Sequence, residues 1–206
     1  MINFRVTFFS MPALMNTPKI LKIMKMKNIR VISKIAPVAI LSLLITVAAF
    51  SQQAASKLSD PEVASVAVVA NQIDIGYAQI AKTRSKDAEV LKFAETMIND
   101  HNAVLEKAGA LVKKLGVTPK DNDVSKKLLA DAKKTREMLE SKSGDSFNKA
   151  YVDNEVAYHK AVIDAVEGLL IPETDNAELK SLLQDVLPAL KAHLGHAEML
   201  QKNMAK

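Results

Sequence analysis

From Ser59 onward, apolar residues recur every three or four positions in stretches opened by capping signals and closed near Gly or Pro, and this constrains the fold more than any other feature. Ser59-Asp-Pro-Glu62 reads as a capping box with proline in the first turn, ahead of Val63, Val66, Ala70, Ile73, Tyr77 and Ile80 at helical spacing. A first helix over about 61–83 follows. A second, about 86–115, carries Val90, Ala94, Met97, Val104, Ala108 and Leu111 on one face and stops at Gly116, with Pro119 just beyond. The lysine-rich stretch from Val124 to Ser141 predicts a connector helix that is mostly solvated.

A third helix opens near Asp145 or Ser146 and runs through Phe147, Tyr151, Val156, Ile163 and Leu170 to Pro172. The fourth starts at the cap-like Asp175-Asn-Ala-Glu178 and carries Leu179, Leu183, Val186, Leu190 and Leu200. Pro188 lies inside it, so a kink is expected there. No run alternates with a period of two, and neither Asn-Gly nor Asp-Gly marks a hairpin. With only 4% aromatic residues the core must be aliphatic. The pattern therefore predicts an all-α fold: a ferritin-like antiparallel four-helix bundle over 61–204, with an additional connector helix between helices 2 and 3.

The first 51 residues are of another kind. Lys25, Lys27, Arg30 and Lys34 precede the uncharged run Ile35 to Phe50, a positive region followed by an apolar one, as in an export signal. The run is short against the roughly 20 residues of a membrane span. Ala49 and Ser51 put small residues at −3 and −1, so cleavage before Gln52 is expected, with an uncleaved N-terminal anchor as the alternative. The residues before Met24 or Met26 read as an over-long start, and 52–60 as a linker. The expected location is the periplasm, free or membrane-anchored, with outer-membrane association as a further option.

Charge supports this division. The whole chain is +5, but residues 1–51 hold seven of the 28 bases and no acid, so 21 bases face all 23 acids in the remainder. That remainder is about −2, which removes the electrostatic motive for binding nucleic acid. The lysines at 126, 127, 133 and 134 read as a solvated face; a docking surface for a protein partner is the alternative. Without cysteine there are no disulfides, thiolate metal sites or thiol nucleophile.

The histidines are the most informative chemistry. His101 falls in the series 90, 94, 97, 101, 104; His159 lies among Val152, Val156, Val162 and Ile163; His193 continues 186, 190, 193, 197. Three helices each turn a histidine inward, about 20–27 Å along the helix at a rise of 1.5 Å per residue, so the rings should share a middle layer. His196 follows one turn later, Glu155 precedes His159 by four residues, and Asp74 sits mid-helix 1. Tyr77, Tyr151 and Asp100 could support the layer with hydrogen bonds.

Two readings stay open. One is a metal site for a single Zn, Fe or Cu ion built on His101, His159 and His193, with His196, Glu155 and Asp74 as further candidate ligands. The other is a metal-free polar layer that fixes helix register. Di-iron bundles need Glu-x-x-His on two helices, and Ile98, Val156, Leu190 and His193 occupy the positions three before the four histidines. Phosphate-loop, Gly-x-Ser-x-Gly and His-Glu-x-x-His motifs are absent as well, so no catalytic residue is assigned. Buried neutral histidines must charge in acid, so stability is expected to fall as pH drops through about 6.5.

Phe93-Ala-Glu-Thr-Met-Ile-Asn-Asp-His101, Phe147-Asn-Lys-Ala-Tyr-Val-Asp153 continuing to His159, and Leu187-Pro-Ala-Leu-Lys-Ala-His193-Leu, in this order and spacing, resemble the exported bacterial family called domain of unknown function 4142. The resemblance spans about 62–203. It implies a ferritin-like bundle, exported or membrane-anchored, and carries the family's recurrent histidines onto His101, His159 and His193, with His196 outside the motif. Where the family commonly has an acid before the helix-3 histidine, this chain has Tyr158. The expected role is a binding or structural protein of the cell envelope; a metal-handling or redox enzyme using the same histidines is the alternative.

Overall fold

The computed structural model describes residues 57–205, so the expected export segment and most of the linker lie outside the described residues. Five long helices make up the described chain, and no strand occurs among those residues: α1 (Asp60–Arg84), α2 (Ala88–Lys114), α3 (Asp123–Glu140), α4 (Gly144–Ala165) and α6 (Ala177–Met204). A π-helical turn (Val166–Leu170) and the short α5 (Ile171–Glu173) extend α4.

The helix starts follow from local chemistry. The Glu62 carboxylate accepts from the backbone N–H and hydroxyl of Ser59, and Pro61 occupies the first turn of α1. Asp87 caps α2 by accepting from the amides of Glu89 and Val90. At its other end Gly116 turns to φ 63° and the Val117 N–H returns to the carbonyl of Val112, the closing bond of a Schellman motif. Asn176, one residue later than the acid expected to open the last helix, accepts from Glu178 and Leu179.

Contacts between helix ends fix the directions. Ser85, just past α1, donates to Asn148 at the start of α4, and Gln201 near the end of α6 donates to Asp153. At the opposite end the Leu58 N–H donates to Glu173, while Asp60 accepts from the amides of Asp175 and Asn176. Hence α1, α3 and α6 run one way and α2 and α4 the other. Helix α1 packs against α2, α3 and α4, and α6 against α4 and α2.

Two expectations gain detail. The α3 connector is mostly solvated, as expected, but Ser125, Ala132 and Leu139 are buried along one stripe against α1. A stripe of small and apolar residues at 125, 128, 132 and 139 suffices for a one-sided contact even in a lysine-rich helix. The absence of a side chain at Gly76 helps, since a Cβ there would lie 2.7 Å from the Arg136 guanidinium of α3. The helix expected to run to Pro172 does so, but it widens into the π turn before the proline. Proline lacks a donor and crowds the carbonyl four residues earlier, that of Gly168, and the wider turn takes up this conflict. Pro188, by contrast, lies within a helix assigned as continuous.

Candidate metal centre

The three histidines in the inward series are buried, His101 at 5%, His159 at 1% and His193 at 7% exposure. Their ring centroids lie 5.8 Å (101 to 159), 5.4 Å (101 to 193) and 5.5 Å (159 to 193) apart. Each offers one ring nitrogen within 4.8 Å of the other two. Asp74, at 0% exposure, stands against the same cluster: its Oδ2 is 3.5 Å from His101 Nε2 and 3.6 Å from His159 Nε2. Ligands about 2.1 Å from a common ion at the tetrahedral angle are themselves about 3.4 Å apart, so this spacing fits a coordination shell.

The far side of each ring sets its proton. His101 Nδ1–H donates to Asn71 Oδ1 at 2.7 Å, and the Asn71 amide is oriented by its own Nδ2 donating to the Ala67 carbonyl. His159 Nδ1–H donates to the Glu155 carbonyl at 3.0 Å, one helical turn back. His193 Nε2–H donates to Asp100 Oδ2 at 2.8 Å. Amide oxygen, peptide carbonyl and carboxylate all accept, so each outer nitrogen carries a proton, and in a neutral ring the inner nitrogen is left with a lone pair. The inner nitrogens, His101 Nε2, His159 Nε2 and His193 Nδ1, are buried without a hydrogen-bond partner, as are both oxygens of Asp74. Anchoring a ring through its second nitrogen is how proteins hold histidine ligands.

Burial governs the electrostatics. It holds His101 at about 3 and His159 at about 4, so both are neutral, with the neighbouring rings adding to the effect. Burial also pushes Asp74 up to about 8 and Glu155 well above the usual carboxylate range, Glu155 further through its proximity to Asp74. The Asp74 carboxyl and the inner nitrogens of His101 and His159 thus lie buried together without a hydrogen-bond partner, an arrangement that a proton or a cation must stabilise.

The remaining sequence candidates divide. Glu155 is fully buried beside the cluster, with Oε2 3.6 Å from His159 Nδ1, and forms a second potential ligand group with Asp74 and His159. Asp100 supports His193 from a half-exposed position. His196 does not join: its ring packs edge-on against Phe93 at 5.0 Å. Three residues along a helix is a rise of about 4.5 Å, which carries His196 past the layer that His193 enters and onto Phe93. Tyr77 and Tyr151 make no hydrogen bond to the rings; Tyr77 packs on Tyr158, and Tyr151 stacks on Phe147 with its hydroxyl unpartnered.

Two contributors were missed by periodicity. Asn71 precedes Asp74 by three residues on α1, and that polar i, i+3 pair within an apolar face was the available signal. Tyr158 lines the cavity beside the cluster, lies edge-on to His159 at 6.3 Å and donates its hydroxyl to the Ala70 carbonyl at 2.9 Å. Nothing in local spacing distinguishes it from a surface residue.

The α3 lysines have their own partners: Lys127 and Lys134 pair with Asp131, and Lys133 with Glu137. Among the described residues no helix is long and apolar enough to cross a membrane.

No curated protein and no solved structure matches the chain. A family model described as domain of unknown function (DUF4142) matches residues 46–200, a span that includes all four histidines, Asp74 and both of their anchoring side chains, Asn71 and Asp100. The chain belongs to the DUF4142 family.

Proposed function

We propose that this is an exported cell-envelope protein whose helices form a ferritin-like antiparallel four-helix bundle, and whose role is to bind one transition metal ion at its centre. The bundle would consist of α1, α2, α4 and α6, with α3 replacing the long crossover between the second and third helices. The opposed directions of α1 and α2, and of α4 and α6, support this arrangement. The basic and apolar N-terminal pattern supports export. Contact with a membrane would come only through that segment left uncleaved.

One observation carries the metal reading: three anchored imidazoles each offer a ring nitrogen within 4.8 Å of the other two, and the buried Asp74 carboxyl, itself without a hydrogen-bond partner, stands 3.5 Å from His101 and 3.6 Å from His159. His101, His159 and His193 would be the nitrogen ligands and Asp74 the carboxylate, with Asn71, Asp100 and the Glu155 carbonyl fixing the rings. Imidazole with one carboxylate suits Zn, Fe or Cu. A divalent ion keeps Asp74 ionised despite burial, because the ion offsets the desolvation that otherwise favours the protonated acid.

The test is elemental analysis of the full chain, expressed with its own N-terminal segment, purified and reconstituted separately with each metal. About one ion per chain is expected, lost in His101→Ala and Asp74→Asn and retained in His196→Ala. Wild-type protein that takes up no metal, with the first two changes altering only stability, would leave a purely structural polar layer.

A metal-handling or redox enzyme is the second reading, favoured by the cavity of about 70 Å³ that reaches the same four residues.

A further inference from the structure

The cavity beside the cluster has a composition that limits what can enter it. Its base is Asp74 with His101, His159 and His193, and its walls include Val104, Val162, Val186 and Leu190. Ala67 is half-buried and Ala189 exposed, so the side formed by α1 and α6 leads outward between small side chains. No lysine or arginine lines it.

The polar groups of the walls, as distinct from the four residues of the base, are already engaged. Asn71 donates to Ala67 and accepts from His101, Tyr158 donates to Ala70, and Asp100 accepts from His193. A ligand would therefore find no free cationic or hydrogen-bonding group in the wall to compensate the loss of its own hydration. A carboxylate, a phosphate or a sugar is poorly served by such a wall.

Size restricts the choice further. About 70 Å³ exceeds the roughly 10–15 Å³ that admits one water but falls short of the roughly 150 Å³ of an apolar cavity that takes benzene. Two or three heavy atoms fit. Four protein ligands also leave an iron(II) ion short of an octahedral set, and open positions on imidazole–carboxylate sites are where non-haem iron(II) meets small ligands.

We propose that the centre, loaded with iron(II), takes a small uncharged diatomic ligand, of the class of dioxygen and nitric oxide, at a position facing this cavity. The proposal rests on the metal reading above. It adds the ligand class and the entry route, and it assigns Val186 and Ala189 as residues that control access without touching the metal.

The probe is nitric oxide. The full chain, stripped of metal and loaded anaerobically with iron(II), is titrated with nitric oxide and followed by electron paramagnetic resonance and visible absorption, with iron content measured on the same samples. An iron–nitrosyl spectrum is expected at about one per iron. Val186→Phe, which puts a ring into the cavity, should keep the iron and weaken nitric oxide binding by about tenfold or more. Ala189→Phe, at an exposed position that leaves the core intact, is the second variant and should slow the appearance of the signal. Azide, a small anion, should leave the iron(II) spectrum unchanged at concentrations where nitric oxide saturates it.

Iron-loaded wild-type protein without a nitrosyl signal overturns the proposal and leaves the metal reading standing. So does an unchanged signal in both iron-loaded variants, or azide binding at least as tightly as nitric oxide. A chain that takes up no iron overturns this inference, and if it takes up no other metal the reading beneath it falls too.

Discussion

The two ends of the helical domain are built differently. Toward the junctions of α1 with α2 and of α3 with α4, the core contains the buried aromatics Phe93, Phe147 and Tyr151 together with Met97 and Leu139, all at 0% exposure. Toward the start of α1 the core is aliphatic, made of Val63, Val66, Ile163, Leu170, Leu179 and Leu183, and includes the π turn. Helix α2 shows the contrast within one element. It buries Val90, Phe93, Ala94, Met97 and His101, and nothing beyond, so that Val104, Ala108 and Leu111 are only half-buried. A further cavity of about 40 Å³ opens there between α1, α2 and α6.

The histidine layer lies at this boundary. One side carries the buried aromatic packing, and the other the half-buried continuation of α2 with the small cavity between α1, α2 and α6. A fully tight domain would hold a metal but seal it, whereas a loose one would let the ligands drift.

The largest expected effect tests the difference in packing. Phe93→Ala, at the centre of the aromatic end, should destabilise the protein by about 3–5 kcal/mol in urea unfolding. Leu183→Ala, in the aliphatic end, should fall near the lower limit of about 2 kcal/mol, because walls already bordering a cavity can relax. Equal losses would mean that the two ends pack equally well.

Metal should act next, and at the boundary. A metal at 100 times its dissociation constant stabilises the folded state by about 2.7 kcal/mol, read as a rise in Tm. His159→Ala should abolish that rise, and His196→Ala should preserve it. Phe93→Ala, which loosens the supporting side, should weaken the metal's effect more than Leu183→Ala does.

A smaller effect concerns pH in the metal-free protein. His101 and His159, held at about 3 and about 4 against 6.5, contribute stability that is present above pH 6.5 and lost as pH falls toward 4. Asp74, raised to about 8 from 3.8, contributes stability that is present below pH 3.8 and lost as pH rises through 8. Glu155, raised from 4.5, acts in the same direction as Asp74. Between about pH 4.5 and 6.5 the unfolded chain holds two extra histidine protons and the folded chain two extra carboxyl protons, so Tm should be nearly flat there and fall from about pH 6.5 to 8. The histidines considered without Asp74 and Glu155, as in the sequence reading, gave a fall below pH 6.5 instead. A steep drop between pH 6.5 and 4.5 would mean that Asp74 and Glu155 remain ionised in the folded protein.

The smallest effect should come from Gly76→Ala, at the α1–α3 contact. The new methyl requires Arg136 to move, but a guanidinium at the end of a flexible side chain can do so, and alanine's helix propensity offsets the cost by about 1 kcal/mol. A change within about 0.5 kcal/mol is expected. A larger loss would show that α3 is held more rigidly than its single buried stripe implies.

Much of this protein is written locally. Ser59 and Glu62, Gly116 and the Asn176 cap mark helix limits within a few residues, because capping is satisfied by neighbours in the chain. The inward facing of His101, His159 and His193 was likewise legible, since a period of 3.6 residues assigns each to a face. The three motifs, in their order and spacing, also pointed to the family that the whole-domain match shows.

What the sequence by itself determined, then, is which residues are helical and which side of each helix is apolar, both properties of the backbone over a turn or two. Tertiary structure decided the rest: that His101 is anchored by Asn71 and His193 by Asp100, 30 and 93 positions away, that Asp74 stands 3.5 Å from a ring on another helix, and that His196 rests on Phe93. Periodicity fixes a direction around one helix axis. It does not fix the distance and rotation between axes, which are set by the packing of side chains far apart in the chain, and a metal site depends on those distances.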